Sequence, residues 1–166
     1  MGGRQVVKFQ SFTGRVTMIN NAGAGGSDDG CYTFIGVSGV DGQFVNFIAG
    51  PDTYFVDHKM IRIGDRITGF YDADQPTPLI YPPQYRAVVI AVTSPSNFVK
   101  VDYFNEELVS SDGQLKVNIS PSTAILLENG QQFTGNLMNR YLIVSYRTST
   151  KSIPAQTTPT QIVVMC

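Results

Sequence analysis

The sequence holds a single histidine, His58, and only two cysteines, Cys31 and Cys166. Two cysteines that far apart cannot supply a disulfide framework or a CxxC metal or redox site, so both read as reduced thiols with no part in chemistry. Charge is scarce as well: 15% of residues are charged, against roughly 25% in an ordinary domain. The basic residues stand singly, with no run of three, and the net charge is −1. No global positive field recruits nucleic acid or an anionic membrane, so nucleic acid is an unfavoured partner that only a local patch would bring in. No stretch reaches the 18 apolar residues of a membrane-spanning helix, and residues 1–11 lack the apolar run of a signal peptide. The expectation is a soluble chain without membrane insertion, its compartment open between the cytoplasm and an exported, processed form. Neither end carries a lipidation pattern.

Helical periodicity is also missing. No window of a dozen residues carries an i, i+3, i+4, i+7 apolar stripe, and only residues 105–109 suggest a single turn. What the chain has instead is 42% hydrophobic residues and 16 glycines, with short alternating or β-branched runs between turn residues. In the first half these runs fall at residues 15–19, 32–37, 43–48, 53–56, 63–71 and 85–92. Asp41-Gly42 reads as a hairpin turn because both positions tolerate positive φ.

The runs recur. Asp41-Gly42-Gln43 returns as Asp112-Gly113-Gln114, Pro51-Asp52-Thr53 as Pro121-Ser122-Thr123 and Asp65-Arg66 as Asn139-Arg140, at offsets of 71, 70 and 74. Tyr71 then matches Tyr146, Pro78 matches Pro154 and Pro83 matches Pro159, at 75 and 76. Ordered landmarks with slowly drifting offsets indicate an internal duplication. The fold class read from this pattern is all-β: two tandem small barrels, OB-like or SH3-like, over residues 12–92 and 97–166, with residues 93–96 as a polar hinge. A single β-sandwich shared by both repeats is the alternative.

The segment Gly69-Phe70-Tyr71-Asp72, with Pro78-Leu79-Ile80-Tyr81-Pro82-Pro83-Gln84-Tyr85 after it, resembles a group of uncharacterised bacterial proteins that share such a Pro/Tyr segment and are often secreted or on the cell surface. The tail Ser152-Ile153-Pro154-Ala155-Gln156-Thr157-Thr158-Pro159 is similar to the same group. The resemblance implies no activity and no catalytic residues.

The Pro/Tyr loop, residues 75–85, is the most distinctive feature. Pro76, Pro78, Pro82 and Pro83 stiffen it and present Leu79, Ile80, Tyr81 and Tyr85 beside Tyr71. These side chains either bind a partner at low entropic cost or plug a barrel end. In the alignment above, the second copy has Ala155 for Leu79, Thr157 for Tyr81 and Gln161 for Tyr85, so it keeps the prolines and loses the rings. Asp72 and Asp74 have the spacing of a divalent-cation or acid/base pair, and equally that of a solvated turn. Cys31, His58 and Asp57 match no nucleophile context. Residues 23–30 are glycine-rich but lack the Lys-Ser/Thr of a phosphate loop.

No cofactor follows from these residues. The function expected is a non-enzymatic binding or assembly module, contacting a protein or a second copy of itself through the loop. Oligonucleotide or oligosaccharide binding on a barrel face is the first alternative, and a metal-dependent hydrolase the last.

Overall fold

The computed structural model describes residues 6–21 and 30–166. The chain is all-β, with no α-helix among the described residues. It divides into two compact units, Phe9–Thr93 and Ser94–Cys166, the latter joined by residues 6–8. No helix is long and apolar enough to cross a membrane.

The first unit contains β1 (Phe9–Asn20), β2 (Thr33–Ser38), β3 (Phe44–Ala49), β4 (Tyr54–Phe55), β5 (Arg66–Asp72), β6 (Gln84–Arg86) and β7 (Val89–Val92), in one sheet ordered β4-β7-β5-β1-β2-β3-β6. β1 begins six residues before the alternating run that marks it in the sequence, because one long strand serves two neighbours. Phe9 to Arg15 pairs antiparallel with β5, and Arg15 to Asn20 with β2. A bulge between Val16 and Met18 breaks the alternation, which leaves both Met18 and Ile19 partly exposed.

β6 and β7 are consecutive pieces of one segment that changes partner. Gln84 to Arg86 runs parallel to β3, the Ala87 N–H donates to the Ile48 carbonyl, and the Val88 N–H donates to the Phe70 carbonyl as β7 joins β5. The β2–β3 turn differs from the one the sequence suggests. Gly42 alone has positive φ, and its N–H closes on the Gly39 carbonyl, so the three-residue connection bends with glycine in the left-handed position and Asp41 outside it.

Val16, Ile35, Val37, Val45, Phe47, Ala49, Ile67 and Ile90 point inward from these strands and form the unit's core. Phe47 is completely buried, and a Cβ built on Gly69 would sit 2.5 Å from its ring. β5 can pass beneath this ring only as glycine.

The second unit contains β8 (Phe98–Phe104), β9 (Leu115–Val117), β10 (Ala124–Leu127), β11 (Arg140–Tyr146), β12 (Ala155–Thr157) and β13 (Gln161–Met165). Four strands lie in the order β10-β13-β11-β8, and β9 pairs with β12. The closing segment again changes partner, β12 running parallel to β9 and β13 antiparallel to β11. Phe104, Leu115, Val117, Leu142, Val144, Ile162 and Val164 make its core. The single turn expected at residues 105–109 is a side-chain-capped turn: Asn105 Oδ1 accepts from the Glu107 and Val109 N–H groups.

The Pro-x-Thr landmark has the same job in each unit. Thr53 Oγ1 accepts from the Gly50 N–H and donates to the Ala87 carbonyl at 2.7 Å. Thr123 Oγ1 accepts from the Ser120 N–H and donates to the Pro159 carbonyl, also at 2.7 Å. Each threonine ties the start of a short strand to the closing segment beside it.

Candidate functional site

The Pro/Tyr loop leaves β5 at Asp72 and returns to the sheet at Gln84. Its foot is built by two rings. Tyr71, near the end of β5, and Tyr85, on β6, stack with centroids 3.9 Å apart and planes within 6° of parallel. Alternation along β5 turns Tyr71 inward, where it is buried in the core and meets Phe47 at 6.3 Å. Its hydroxyl donates to Gln10 Oε1 at 3.3 Å. Burial, and then the neighbouring Tyr85, push the Tyr71 hydroxyl up to about 12, because an anionic phenolate is poorly solvated there.

The tip of the loop is different. Leu79 is fully exposed, Tyr81 is 75% exposed and Ile80 about half exposed. The Tyr81–Pro82 peptide bond is cis. The structure thus separates the five candidate residues: Tyr71 is buried in the core with half-buried Tyr85 stacked on it, while Leu79, Ile80 and Tyr81 stand in solvent as three consecutive apolar side chains.

Strand register re-aligns the loop with its counterpart. Gln84 lies opposite Asn46 and Gln156 opposite Lys116; Val89 lies opposite Tyr54 and Gln161 opposite Ala124. Both comparisons give an offset of 72 for the closing segments, not the 75 to 76 of the proline matches. The residue in Tyr81's place is therefore Ile153, 84% exposed and also followed by a cis proline, and Thr157 stands in Tyr85's place. β5 and β11 keep the offset of 75, since Ile67 faces Val92 where Leu142 faces Val164. The connection from β11 to β12 (residues 147–154) is three residues shorter than the one from β5 to β6 (residues 73–83).

Asp72 and Asp74 form a turn at the foot of the loop, with Asp72 Oδ1 accepting the Asp74 N–H at 2.9 Å. No group of three or more His, Cys, Asp or Glu residues placed to hold a metal ion occurs among the described residues. A two-carboxylate turn whose oxygens bond its own backbone is not a cation cage.

At the far end of β1 and β3 the first unit has a pocket of about 390 Å³. Ile19, Ile35, Ala49, Phe55 and Ile61 supply apolar lining, with Cys31, His58, Lys59 and Met60 also contributing. Cys31 and His58, set aside in the sequence, thus share one wall system. Asp57 and His58 precede the rim with φ of 61° and 51°, a left-handed pair of non-glycine residues costing on the order of 1 kcal/mol each. The His58 ring lies edge-on to Tyr54, 5.5 Å away. Sequence reasoning missed this pocket because its lining comes from four separate runs. The signal that could have marked it is Met60, a large apolar residue in a polar turn. Of the glycine-rich stretch 23–30, all but Gly30 lies outside the described residues.

No family model matches the chain, and no curated protein matches it in sequence.

Proposed function

We propose that this chain is a non-enzymatic binding or assembly protein made of two tandem small barrels of OB-like connectivity, descended from one duplicated module, with the Pro/Tyr loop of the first as its contact surface. Support for the barrels lies in the closing segments. Residues 84–92 bond β3 with their first part and β5 with their second, which brings the two sides of the first sheet together. Support for the duplication lies in the shared threonine ties and in closing segments that switch partners alike. On this reading the chain stands with the uncharacterised bacterial proteins that its Pro/Tyr segment resembles.

The observation that carries the contact surface is the exposure of Leu79, Ile80 and Tyr81 together on a proline-framed loop whose base is the Tyr71–Tyr85 ring stack. A rigid loop loses little entropy on binding, and adjacent exposed apolar groups mark interaction sites. The test uses wild-type protein and a Leu79→Ser/Ile80→Ser/Tyr81→Ser variant as parallel baits, with circular dichroism to show equal folding. Partners held by the wild type and lost by the variant are expected; an identical set on both baits would overturn the assignment.

A second reading rests on the outer face of the first sheet. Cross-strand rows Asn20–Phe34–Ile48–Arg86 and Met18–Gly36–Asn46–Gln84 place an aromatic, an amide and an arginine side by side. Such a face fits a base or a sugar ring. Binding to single-stranded DNA or a glycan array at low salt tests it, and flat responses end it.

A further inference from the structure

The first unit carries an apolar projection and an apolar hollow at opposite ends. The loop follows Asp72, which pairs with Phe9 at the start of β1, and re-enters beside Asn46, whose N–H donates to the Pro83 carbonyl near the start of β3. The pocket takes Ile19 from the other end of β1, and Ala49 and Gly50 from the end of β3. At roughly 3.3 Å per residue, ten steps along β1 and four along β3 separate the two. A molecule's own loop leaves from one end while its pocket lies at the other.

We infer that the Leu79-Ile80-Tyr81 tip of one copy seats in the Ile19/Phe55/Met60/Ile61 pocket of a second copy, so that the protein self-associates head to tail. This rests on the loop being the contact surface, as proposed above, and adds the occupant and its place. The tip exposes three apolar side chains in a row, and the pocket offers apolar lining of about 390 Å³. Carboxylates of Asp72 and Asp74 stand at the foot of the loop, and Lys59, exposed, is the one lysine, arginine or carboxylate residue among the described residues of the pocket lining, with the exposed Asp57 carboxylate two residues before it; the lining charge is thus opposite to that at the foot of the loop. Because the two surfaces differ, the contact is heterologous and leaves an unused tip at one end and an unused pocket at the other of any open oligomer. Three side chains bury less than the ~1,000 Å² of a stable interface, so assembly is weak and appears only at high concentration.

Sedimentation velocity on the full chain, from micromolar to millimolar, reads the association. Two variants block it from either side: Leu79→Asp/Tyr81→Asp at the tip, and Ile19→Asp/Met60→Asp at the pocket, with Met60→Asp alone as a milder change at an exposed position. The wild type is expected to grow in mass with concentration, and each blocked variant to weaken association more than about tenfold. An equimolar mixture of the two blocked variants retains one good tip and one good pocket, and is expected to stop at a dimer. A wild type that stays monomeric to millimolar concentration overturns the inference, as does a mixture that stays monomeric. If the tip variant abolishes assembly and both pocket variants leave it intact, the pocket assignment falls while the loop remains the contact surface. If the tip variant assembles as well as the wild type, the loop contact between copies falls too, and the bait comparison then decides the loop reading separately.

Discussion

Tyr71 and Tyr81 are ten residues apart in one short segment, yet the first is buried and the second exposed. Strand alternation decides the difference: Tyr71 lies on the inward phase of β5, whereas Tyr81 lies on a proline-framed loop outside any ladder. Tyr85 sits between these extremes, half-buried and stacked on Tyr71. Tyr85→Ala should therefore cost on the order of 2 kcal/mol, below the roughly 3–5 kcal/mol of a fully buried aromatic. Tyr81→Ser should stay within about 0.5 kcal/mol of wild type in urea unfolding. Equal costs at the two sites would contradict their placement. The same stack gives an alkaline signature. With the Tyr71 hydroxyl held at about 12, a spectrophotometric tyrosine titration should lose its late-ionising step near that pH in Tyr71→Phe, while the raised Tyr146 remains. A variant that keeps that late step and loses an ordinary tyrosine step instead would show that Tyr71 is not held there.

Individual elements show what the sequence could and could not disclose. At Asp-Gly-Gln the glycines were legible, since Gly42 and Gly113 both adopt positive φ, but the two-residue turn that Asp41-Gly42 suggests is replaced by a three-residue connection. The role of Thr53 and Thr123 was marked by recurrence, though not explained by it, because the carbonyls they bind lie 34 and 36 residues away. The extent of β1 was hidden, since Gln10 and Ser11 are polar and the ladder there is set by its neighbour β5. The two loops can be set against each other in two ways for a related reason: prolines outside the ladder match by identity at offsets of 75 and 76, while hydrogen-bond register sets the closing strands at 72. The pocket was illegible because its lining converges only after folding. Of the candidate site, the sequence marked the Pro/Tyr loop as distinctive but could not divide its rings between core and solvent. Gly69 illustrates a constraint that only packing exposes. Gly69→Ala would drive a methyl group into the buried Phe47 ring, which has no free space to move into. A loss of about 1–3 kcal/mol in chemical unfolding is expected, as for other overpacked cores. A stabilised variant would show that the ring yields.

For the molecule as a whole, one perturbed carboxylate shows where acid acts on the second unit. Asp112, in the second unit, accepts from Lys100 Nζ at 2.5 Å, from Ser110 Oγ at 2.6 Å and from the Gln114 N–H at 3.0 Å. Partial burial works to raise its pKa, but the bonds from Lys100, Ser110 and Gln114 outweigh it and hold the carboxyl below its ordinary 3.8. A group with a depressed folded-state pKa stabilises fully above its unfolded value, and that contribution is lost as pH falls through the folded value. Acid below that ordinary value should therefore loosen the strands that Asp112 ties together in the second unit. Alkali acts on both units. Tyr71 in the first unit and Tyr146 in the second are both raised, the latter by burial and then by Asp112. A raised tyrosine stabilises below its ordinary value of 10.0 and loses that contribution as pH climbs toward the folded value. Hydrogen exchange on the full chain, stepped downward from pH 5 to below Asp112's ordinary value, should show amides of β8, β9 and the 110–114 turn losing protection as Asp112 protonates. Lys100→Met should move that loss to higher pH, because Asp112 then protonates sooner. A loss at the same pH in Lys100→Met would show that the Lys100–Asp112 pair does not set the acid limit of these strands.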